Sequence, residues 1–254
     1  MRRKTALSLL ITIIIPFLAG WEPTPQPTPS PVPSPSPSPS PTPGLYDDLE
    51  TEEDWEATIP EEIEGSWPEK IIGLAESQLG YSESGNLHIW DWNNNEYKGY
   101  TRYGDYYGND YGSWCAMFVG FCLDYAGIPR DAFPYNANCA VWVDKLNKIG
   151  LFVFTCDDPL SYIPQEGDIV FFAEPGHYTS KHCGIVTYEG PLEGNGKIDT
   201  GQFERIGITT IEGNTHYRKG EADAVCEKSY LLTDKRILGY GRLSAAEENC
   251  KTTG

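Results

Sequence analysis

Apolar residues between Trp114 and Gly127 recur at the spacing of an α-helix, which predicts the central helix of the protein. The positions expected to form one buried face are Met117, Phe118, Phe121, Cys122 and Tyr125. Gly127 and Pro129 end the helix, because Gly suits a left-handed cap and Pro cannot continue the helical hydrogen bonds. Ser113 is the predicted N-cap, and this boundary places Cys115 in the first turn.

Two further helices and a set of strands complete the predicted fold. The helices cover Pro68–Leu79 and Ala137–Ile149, and each is followed by a glycine. After them the pattern changes to short branched and aromatic segments separated by turn residues. The predicted strands are Gly167–Phe172, His182–Tyr188, Ile206–Glu212, Ala224–Leu232 and Arg236–Arg242. Helices followed by strands predict an α+β domain in which an antiparallel sheet packs on the central helix.

The segment Asn86–Gly112 is rich in Asn, Gly, Tyr and Trp, and it is long for a connection. Two interpretations remain open for it. It is either an aromatic lid that covers the central helix or one wall of a substrate groove.

Residues 1–20 have the layout of a secretion signal, with a basic start and an apolar run from Ala6 to Ala19. As a helix this run reaches about 20–25 Å, which is short for a bilayer core of about 30 Å. Its small-residue cleavage motif is incomplete, so a cleaved signal and an uncleaved N-terminal membrane tether both stay open. Either alternative places the rest of the chain outside the cytoplasm, secreted or at the cell surface.

Two linkers are predicted after the signal. Residues 21–43 carry Pro at nearly every second position, which favours an extended polyproline stalk. Residues 44–64 contain ten acidic side chains and no Lys or Arg, and are predicted to be disordered. These acids supply more than half of the formal net charge of −18, which argues against nucleic-acid partners. The globular domain is then residues 65–254.

Cys115 is the candidate nucleophile. Unpaired backbone N–H groups and the helix dipole at a first turn favour an anion, which helps a thiol to lose its proton. A small buried core cysteine is the alternative. Among the four histidines, His182 opens an apolar strand and is therefore held rigidly, so it is the predicted base. A buried core histidine without a catalytic role is the alternative for His182.

A third group is needed to orient the imidazole, and the end of the Ile206 strand offers two. Glu212 or Asn214 could accept the imidazole N–H, which would fix the tautomer and steady the imidazolium. The alternatives are a surface acid for Glu212 and a turn former for Asn214. Residues two apart on one strand share a face, so both are expected to approach His182.

The segments WCAMFVGFC, GDIVFF, HCGIV and IEGNT, in this order, resemble the CHAP family (cysteine, histidine-dependent amidohydrolase/peptidase). The resemblance covers roughly Pro68 to Arg242 and implies a papain-like fold and hydrolysis of peptidoglycan. By position, Cys115 matches the nucleophile and His182 the base. Glu212 matches the acidic third member and Asn214 the accompanying amide. The family includes muramoyl-alanine amidases and stem or cross-bridge endopeptidases, and both remain open, with a monomer expected.

Some members of that family bind calcium beside the cysteine, but Met117 occupies the position of one of their Asp ligands. No CxxC pair is present either, so no metal and no cofactor is expected. Two other functions stay open. One is a non-catalytic wall-binding or adhesive module on the same fold. The other is an NlpC-type cysteine endopeptidase, whose usual motifs Trp114 and Glu212 fit less well.

The seven cysteines are an odd number, which fits one free reactive thiol. The remaining six could pair in 15 ways. Cys122 is predicted to lie in the core, and Cys139–Cys156 is the predicted disulfide.

Overall fold

A computed structural model describes residues 49–93, 95–192, 206–218 and 221–253, all within one compact unit. The predicted signal, the Pro-rich linker and the first residues of the acidic linker lie outside these ranges. Among the described helices, none combines the length and the apolar character that a membrane crossing requires.

Helices and one hairpin form the first half of the domain, and strands form the second half. The helices of the first half are α1 (Glu52–Glu56), α2 (Trp67–Ser77), α3 (Arg102–Tyr107), α4 (Cys115–Tyr125) and α5 (Cys139–Lys148). The hairpin strands are β1 (His88–Asp91) and β2 (Glu96–Gly99). The later elements are β3 (Phe152–Phe154), β4 (Ile169–Ala173), β5 (Ser180–Pro191), β6 (Ile206–Thr215), β7 (Ala224–Leu231), β8 (Ile237–Gly241) and α6 (Leu243–Thr253).

The six strands β3 to β8 form one antiparallel sheet in the order β3-β8-β4-β5-β6-β7. The predicted α+β class with an antiparallel sheet is therefore confirmed. Strand β5 lies inside the sheet, with Phe172 of β4 opposite His182 and Ile211 of β6 opposite Ile185. This pairing brings the first half of β5 beside the second half of β6.

Helix α4 lies between the sheet strands β5 and β6 on one side and helices α2 and α3 on the other. Every residue from Cys115 to Leu123 is buried, so the expectation of a single buried face is wrong. The reason is that α3 covers the side that the sheet leaves open, with the Tyr103 ring stacked on Trp114 and edge-on to Phe118. The predicted helix boundaries are confirmed to within one or two residues.

The aromatic segment Asn86–Gly112 divides into two parts. Its second part, α3, buries Tyr103 against the central helix, as the lid interpretation expects. Its first part is the β1–β2 hairpin, where Trp92 is 87% exposed and Tyr97 is 64% exposed. The hairpin therefore leaves an aromatic surface open to solvent.

The prediction that the acidic segment is disordered up to residue 64 is wrong for residues 49–64. Helix α1 forms there, Trp55 is buried, and its Nε1–H donates to the Tyr125 hydroxyl at 3.0 Å. Glu50 forms a two-pronged ion pair with Arg102. The acidic side chains suit a solvated segment, but the contacts of Glu50 and Trp55 hold its backbone on the domain. The folded domain therefore includes these residues and does not begin at residue 65.

Candidate active site

Cys115 is the first residue of α4 and is only 4% exposed. The N-cap is Trp114 rather than the predicted Ser113, whose hydroxyl instead accepts a hydrogen bond from Lys98 Nζ at 3.4 Å. The Trp114 N–H donates to Asn214 Oδ1 at 3.1 Å, so a residue of β6 holds the start of the helix. Cys115 thus stands in the first turn of α4, where backbone N–H groups have no partner within the helix.

His182 and Glu212 face each other across neighbouring strands, with 2.8 Å between Nε2 and Oε2. The Glu212 carboxylate is buried and accepts two further hydrogen bonds, from Thr210 Oγ1 to Oε1 at 2.5 Å and from the Tyr230 hydroxyl to Oε2 at 3.2 Å. Three donors aimed at one buried carboxylate satisfy both of its oxygens and fix its position. The His182 side chain is one quarter exposed, so the imidazole connects the buried acid with the surface.

Two glycines in the strand motifs allow these side chains to meet. A Cβ added at Gly184 would lie 2.5 Å from Glu212 Cγ, so Gly184 leaves the space that the buried carboxylate fills. A Cβ added at Gly213 would lie 2.6 Å from Trp114 Cζ3 and 2.8 Å from Phe118 Cβ. Gly213 therefore lets β6 approach the start of α4, and both glycines have a packing reason to be in their motifs.

The electrostatics favour a charged thiolate and a charged imidazole. Hydrogen bonds from Cys139 and Cys183, opposed by burial and aided by the hydrogen bond and charge of His182, lower the pKa of Cys115 well below its ordinary value. Burial acts to lower the pKa of His182, but hydrogen bonds to Cys115 and Glu212 outweigh it and raise this pKa to about 10. Both shifts act in the same direction, toward a thiolate on Cys115 and an imidazolium on His182.

Asn214 does not share the position of Glu212, although the sequence predicted that both side chains approach His182. The pairing of β6 with β7 is irregular between Glu212 and Thr215, and Asn214 has a φ of 57°. This left-handed residue breaks the alternation of the strand, and its side-chain oxygen accepts the Trp114 N–H instead. Of the two candidates, Glu212 is the partner of His182 and Asn214 holds the helix that carries Cys115.

The predicted disulfide between Cys139 and Cys156 is wrong. All seven cysteines lie within the described residues, and all are free thiols. Cys139, the first residue of α5, lies with its Sγ 3.8 Å from Cys115 Sγ and 3.8 Å from Cys183 Sγ. Sequence separation hid this cluster, in which Cys183 is a buried residue of β5 that packs with the buried side chains of the helices.

A cavity of about 300 Å³ opens beside His182 and Glu212. Its other walls include the rings of Phe172 and Tyr230 and the cationic side chains of Lys181 and Arg236, so its lining is partly apolar and partly charged. No protein-family model, no curated protein and no solved structure matches the chain. The chemistry must therefore be inferred from the residues themselves, and an activated thiol next to a carboxylate-bound imidazole is an arrangement suited to nucleophilic attack on a carbonyl.

Proposed function

We propose that this protein is a cysteine amidohydrolase of papain-like fold, similar to the CHAP family, that cuts an amide bond of peptidoglycan. The observation that carries the proposal is the arrangement of three side chains. The Cys115 thiol has a lowered pKa, lies at a helix N-terminus and interacts with His182, whose other ring nitrogen is bound by buried Glu212. A core cysteine and a core histidine without a catalytic role have no need of that combination.

The orientation of the imidazole determines which nitrogen does the chemistry. Because Nε2–H donates to Glu212, Nδ1 is the nitrogen left for Cys115 and the substrate. The carboxylate fixes this tautomer and stabilises the imidazolium that the resting pair requires. In this account Glu212 holds the ring throughout and does not itself exchange a proton.

Acylation begins when the Cys115 thiolate attacks the amide carbonyl carbon. A C–S bond forms and the carbonyl π electrons move to the oxygen, which the N–H groups of the first turn of α4 stabilise. As the C–N bond breaks, His182 Nδ1 gives its proton to the leaving amine. The products of this step are a free amine and a thioester on Cys115.

Deacylation restores the starting state. His182, now neutral, takes a proton from water while the oxygen of that water adds to the thioester carbonyl. The C–S bond then breaks, the acid is released, and thiolate and imidazolium are regenerated. One water is consumed for each amide bond cut.

Peptidoglycan is the proposed substrate because two independent features of the chain favour it. The four ordered motifs resemble a family that acts on cell-wall amides, and the signal-like N-terminus indicates a place outside the cytoplasm. The bond cut is a muramoyl-alanine amide or a peptide bond of the stem or cross-bridge. The cavity beside His182, with its apolar and charged walls, offers space for one part of such a substrate.

The test is digestion of purified peptidoglycan with the full chain, followed by mass analysis of the soluble products. We expect new amine and carboxyl ends at one type of amide bond, which names the bond. The variant Cys115→Ala should lower this rate by about 10⁴-fold or more, because the nucleophile is lost while the burial of the site is kept. The matched control is Cys250→Ser, which changes an exposed thiol of α6 and should retain full activity.

Three results would contradict the proposal in different ways. If the Cys115→Ala variant digests peptidoglycan as fast as the native chain does, the nucleophile is a different residue. Sedimentation of the protein with intact peptidoglycan without any soluble product would favour a wall-binding module. Activity that survives Glu212→Ala but is lost when another histidine is changed would favour the NlpC-type arrangement.

A further inference from the structure

Three thiols meet at the candidate active site, and the proposed hydrolysis uses only one as a nucleophile. The Sγ atoms of Cys115, Cys139 and Cys183 all lie within 4.8 Å of one another. They come from three separate elements, the starts of α4 and α5 and the middle of the sheet. All three are buried and free, so the fold itself collects them without a covalent link.

The distances between the sulfur atoms distinguish a disulfide bond from a shared metal ion. A disulfide requires about 2.05 Å between its sulfur atoms. A tetrahedral ion with metal–sulfur bonds of about 2.3 Å holds two sulfur ligands about 3.8 Å apart. The distances from Cys139 Sγ to Cys115 Sγ and to Cys183 Sγ are both 3.8 Å. Two of the three sulfur separations therefore match a shared metal ion, and the third, between Cys115 and Cys183, is no more than 4.8 Å.

The chemistry of the donors selects the class of ion. Thiolate sulfur is a soft ligand that favours Zn²⁺, Cu⁺ and similar cations over Ca²⁺ or Mg²⁺. His182 interacts with Cys115 but does not belong to the group of three sulfur ligands, so the remaining coordination position is left for water.

We propose that Cys115, Cys139 and Cys183 form a binding site for one thiophilic divalent cation of the zinc type, and that its binding switches off the nucleophile. The inhibitory part rests on the proposed function. The three sulfur atoms bind the ion as thiolates, and the protons that the thiols carry before binding are released to solvent. A Cys115 sulfur that donates its electron pair to the metal cannot attack a carbonyl, so the metal-bound enzyme is inactive and removal of the ion restores it.

The binding test uses the reduced full chain after treatment with a chelator. Zn²⁺ is titrated by calorimetry, and Cd²⁺ is titrated by the ultraviolet absorbance of its bonds to thiolate. We expect one equivalent of either ion per chain. Cys139→Ser should weaken binding by at least about 10²-fold, because a hydroxyl is a poor ligand for a soft cation. Serine is well tolerated at the start of a helix, so this variant should fold.

Cys122→Ala is the matched control, since it changes a buried thiol of the same helix α4 that lies outside the cluster. It should bind either ion as tightly as the native chain. Cys183→Ser provides a second, independent ligand variant, and circular dichroism verifies that each variant is folded. Unchanged binding in folded Cys139→Ser or Cys183→Ser would overturn the site, and so would the absence of a stoichiometric complex. A two-hydrogen mass loss from a disulfide within the cluster of the native protein would overturn it as well.

The activity test separates this inference from the proposed function. Peptidoglycan hydrolysis should fall in proportion to the fraction of protein bound to Zn²⁺ and should recover when a chelator is added. Each variant is compared with its own metal-free rate. Stoichiometric binding by a protein that hydrolyses nothing would support the metal site and contradict the proposed function. Hydrolysis that stoichiometric Zn²⁺ leaves unchanged would overturn the inhibitory role and leave the hydrolase proposal intact.

Discussion

Two carboxylates in this molecule hold a cation away from bulk solvent, and the two pairs serve different purposes. Glu212 binds His182 beside Cys115, whereas Glu50 binds Arg102 at the surface of the helical half. An imidazole can give and take a proton, while a guanidinium keeps its charge at every ordinary pH. The two pairs therefore differ in one chemical respect: only the His182–Glu212 pair contains a cation that can exchange its proton with a neighbouring thiol, as the proposed function requires.

The surroundings of Arg102 illustrate the structural alternative. Arg102 Nη1 donates to Thr58 Oγ1 at 3.0 Å and to Gln78 Oε1 at 3.2 Å, and the guanidinium lies 4.3 Å from the centre of the Tyr81 ring. These contacts use the guanidinium on several sides and tie residues of the acidic segment to α2 and α3. The Glu50–Arg102 pair is therefore an anchor for residues 49–64.

The largest expected difference between the two pairs is in turnover. We expect Glu212→Gln to lower kcat/KM on peptidoglycan by about 10²-fold or more, because an amide holds an imidazolium less well than a carboxylate does. Glu50→Gln is the matched control, since it makes the same chemical change at the other pair, and turnover per folded molecule should be unchanged. If both variants lost activity equally, the comparison would fail and Glu212 would have a structural role only.

The next effect concerns stability. Arg102→Met keeps an apolar side chain beside Tyr81 but leaves Glu50 without its cation and removes one of the two donors to Gln78 Oε1, the other being the Tyr103 hydroxyl. We expect the free energy of unfolding to fall by about 2–3 kcal/mol, measured by denaturant titration. Limited proteolysis should also begin to cut between residues 49 and 64, a region that should resist cleavage in the native chain.

The stability prediction has its own control and its own contrary result. Arg236→Met removes an exposed guanidinium that pairs with Asp234 close by in sequence, and it should change the unfolding free energy by less than about 0.5 kcal/mol. Cleavage between residues 49 and 64 in the native chain at the same rate as in Arg102→Met would show that the anchor does not hold the segment in solution.

A smaller effect is expected in the pH dependence. His182 has its pKa raised to about 10, so it carries charge below that pH and loses it above. Cys115 has a lowered pKa and carries its charge above that value, so the ion pair exists between the two. We therefore expect kcat/KM to fall as pH rises through about 10, where the acid that protonates the leaving amine is lost.

Glu212→Gln sharpens this pH prediction. Removing the carboxylate removes one of the interactions that raise the pKa of His182, so the alkaline fall should move to lower pH by about one unit or more. Alkylation of Cys115 by iodoacetamide, followed by peptide mass analysis, reports the thiolate without any substrate. A native thiol that reacts no faster at neutral pH than an ordinary thiol with a pKa of about 8.5 would contradict the ion pair.

Local patterns were sufficient to predict the elements that carry the site. The apolar spacing of Trp114–Gly127 and the branched apolar run after His182 predicted α4 and β5, because both segments are rich in side chains that their elements bury. Ordered motifs then paired Cys115 with His182. The same local rules failed for residues 49–64, because a single Trp55 and one distant Arg102 decide the packing of a segment whose composition is that of a solvated chain.

The thiol cluster could not be predicted from the sequence for a related reason. Cys115, Cys139 and Cys183 are separated by 24 and 44 residues, and only the crossing of α4, α5 and β5 brings them together. Cysteine spacing in sequence is informative about metal sites when the ligands lie in one turn or one hairpin, as in a CxxC pair. Ligands from three separate elements leave no such spacing, so the sequence offered no reason to expect them.

The smallest expected effect belongs to Asn214, the second candidate for the third catalytic position. Its side chain accepts the Trp114 N–H and is thus one step removed from the chemistry, holding the helix start on which Cys115 sits. Asn214→Ala should lower kcat by less than about tenfold, because the helix is also held by the packing of Trp114 against Tyr103. The alkaline fall of kcat/KM should stay near that of the native enzyme, since the contact between His182 and Glu212 remains.

Asn214→Asp is the matched variant, because it retains the acceptor for the Trp114 N–H and should recover kcat if positioning is the role. A loss larger than that of Glu212→Gln would exchange the two roles, and the site would then resemble the Cys-His-Asn arrangement of papain.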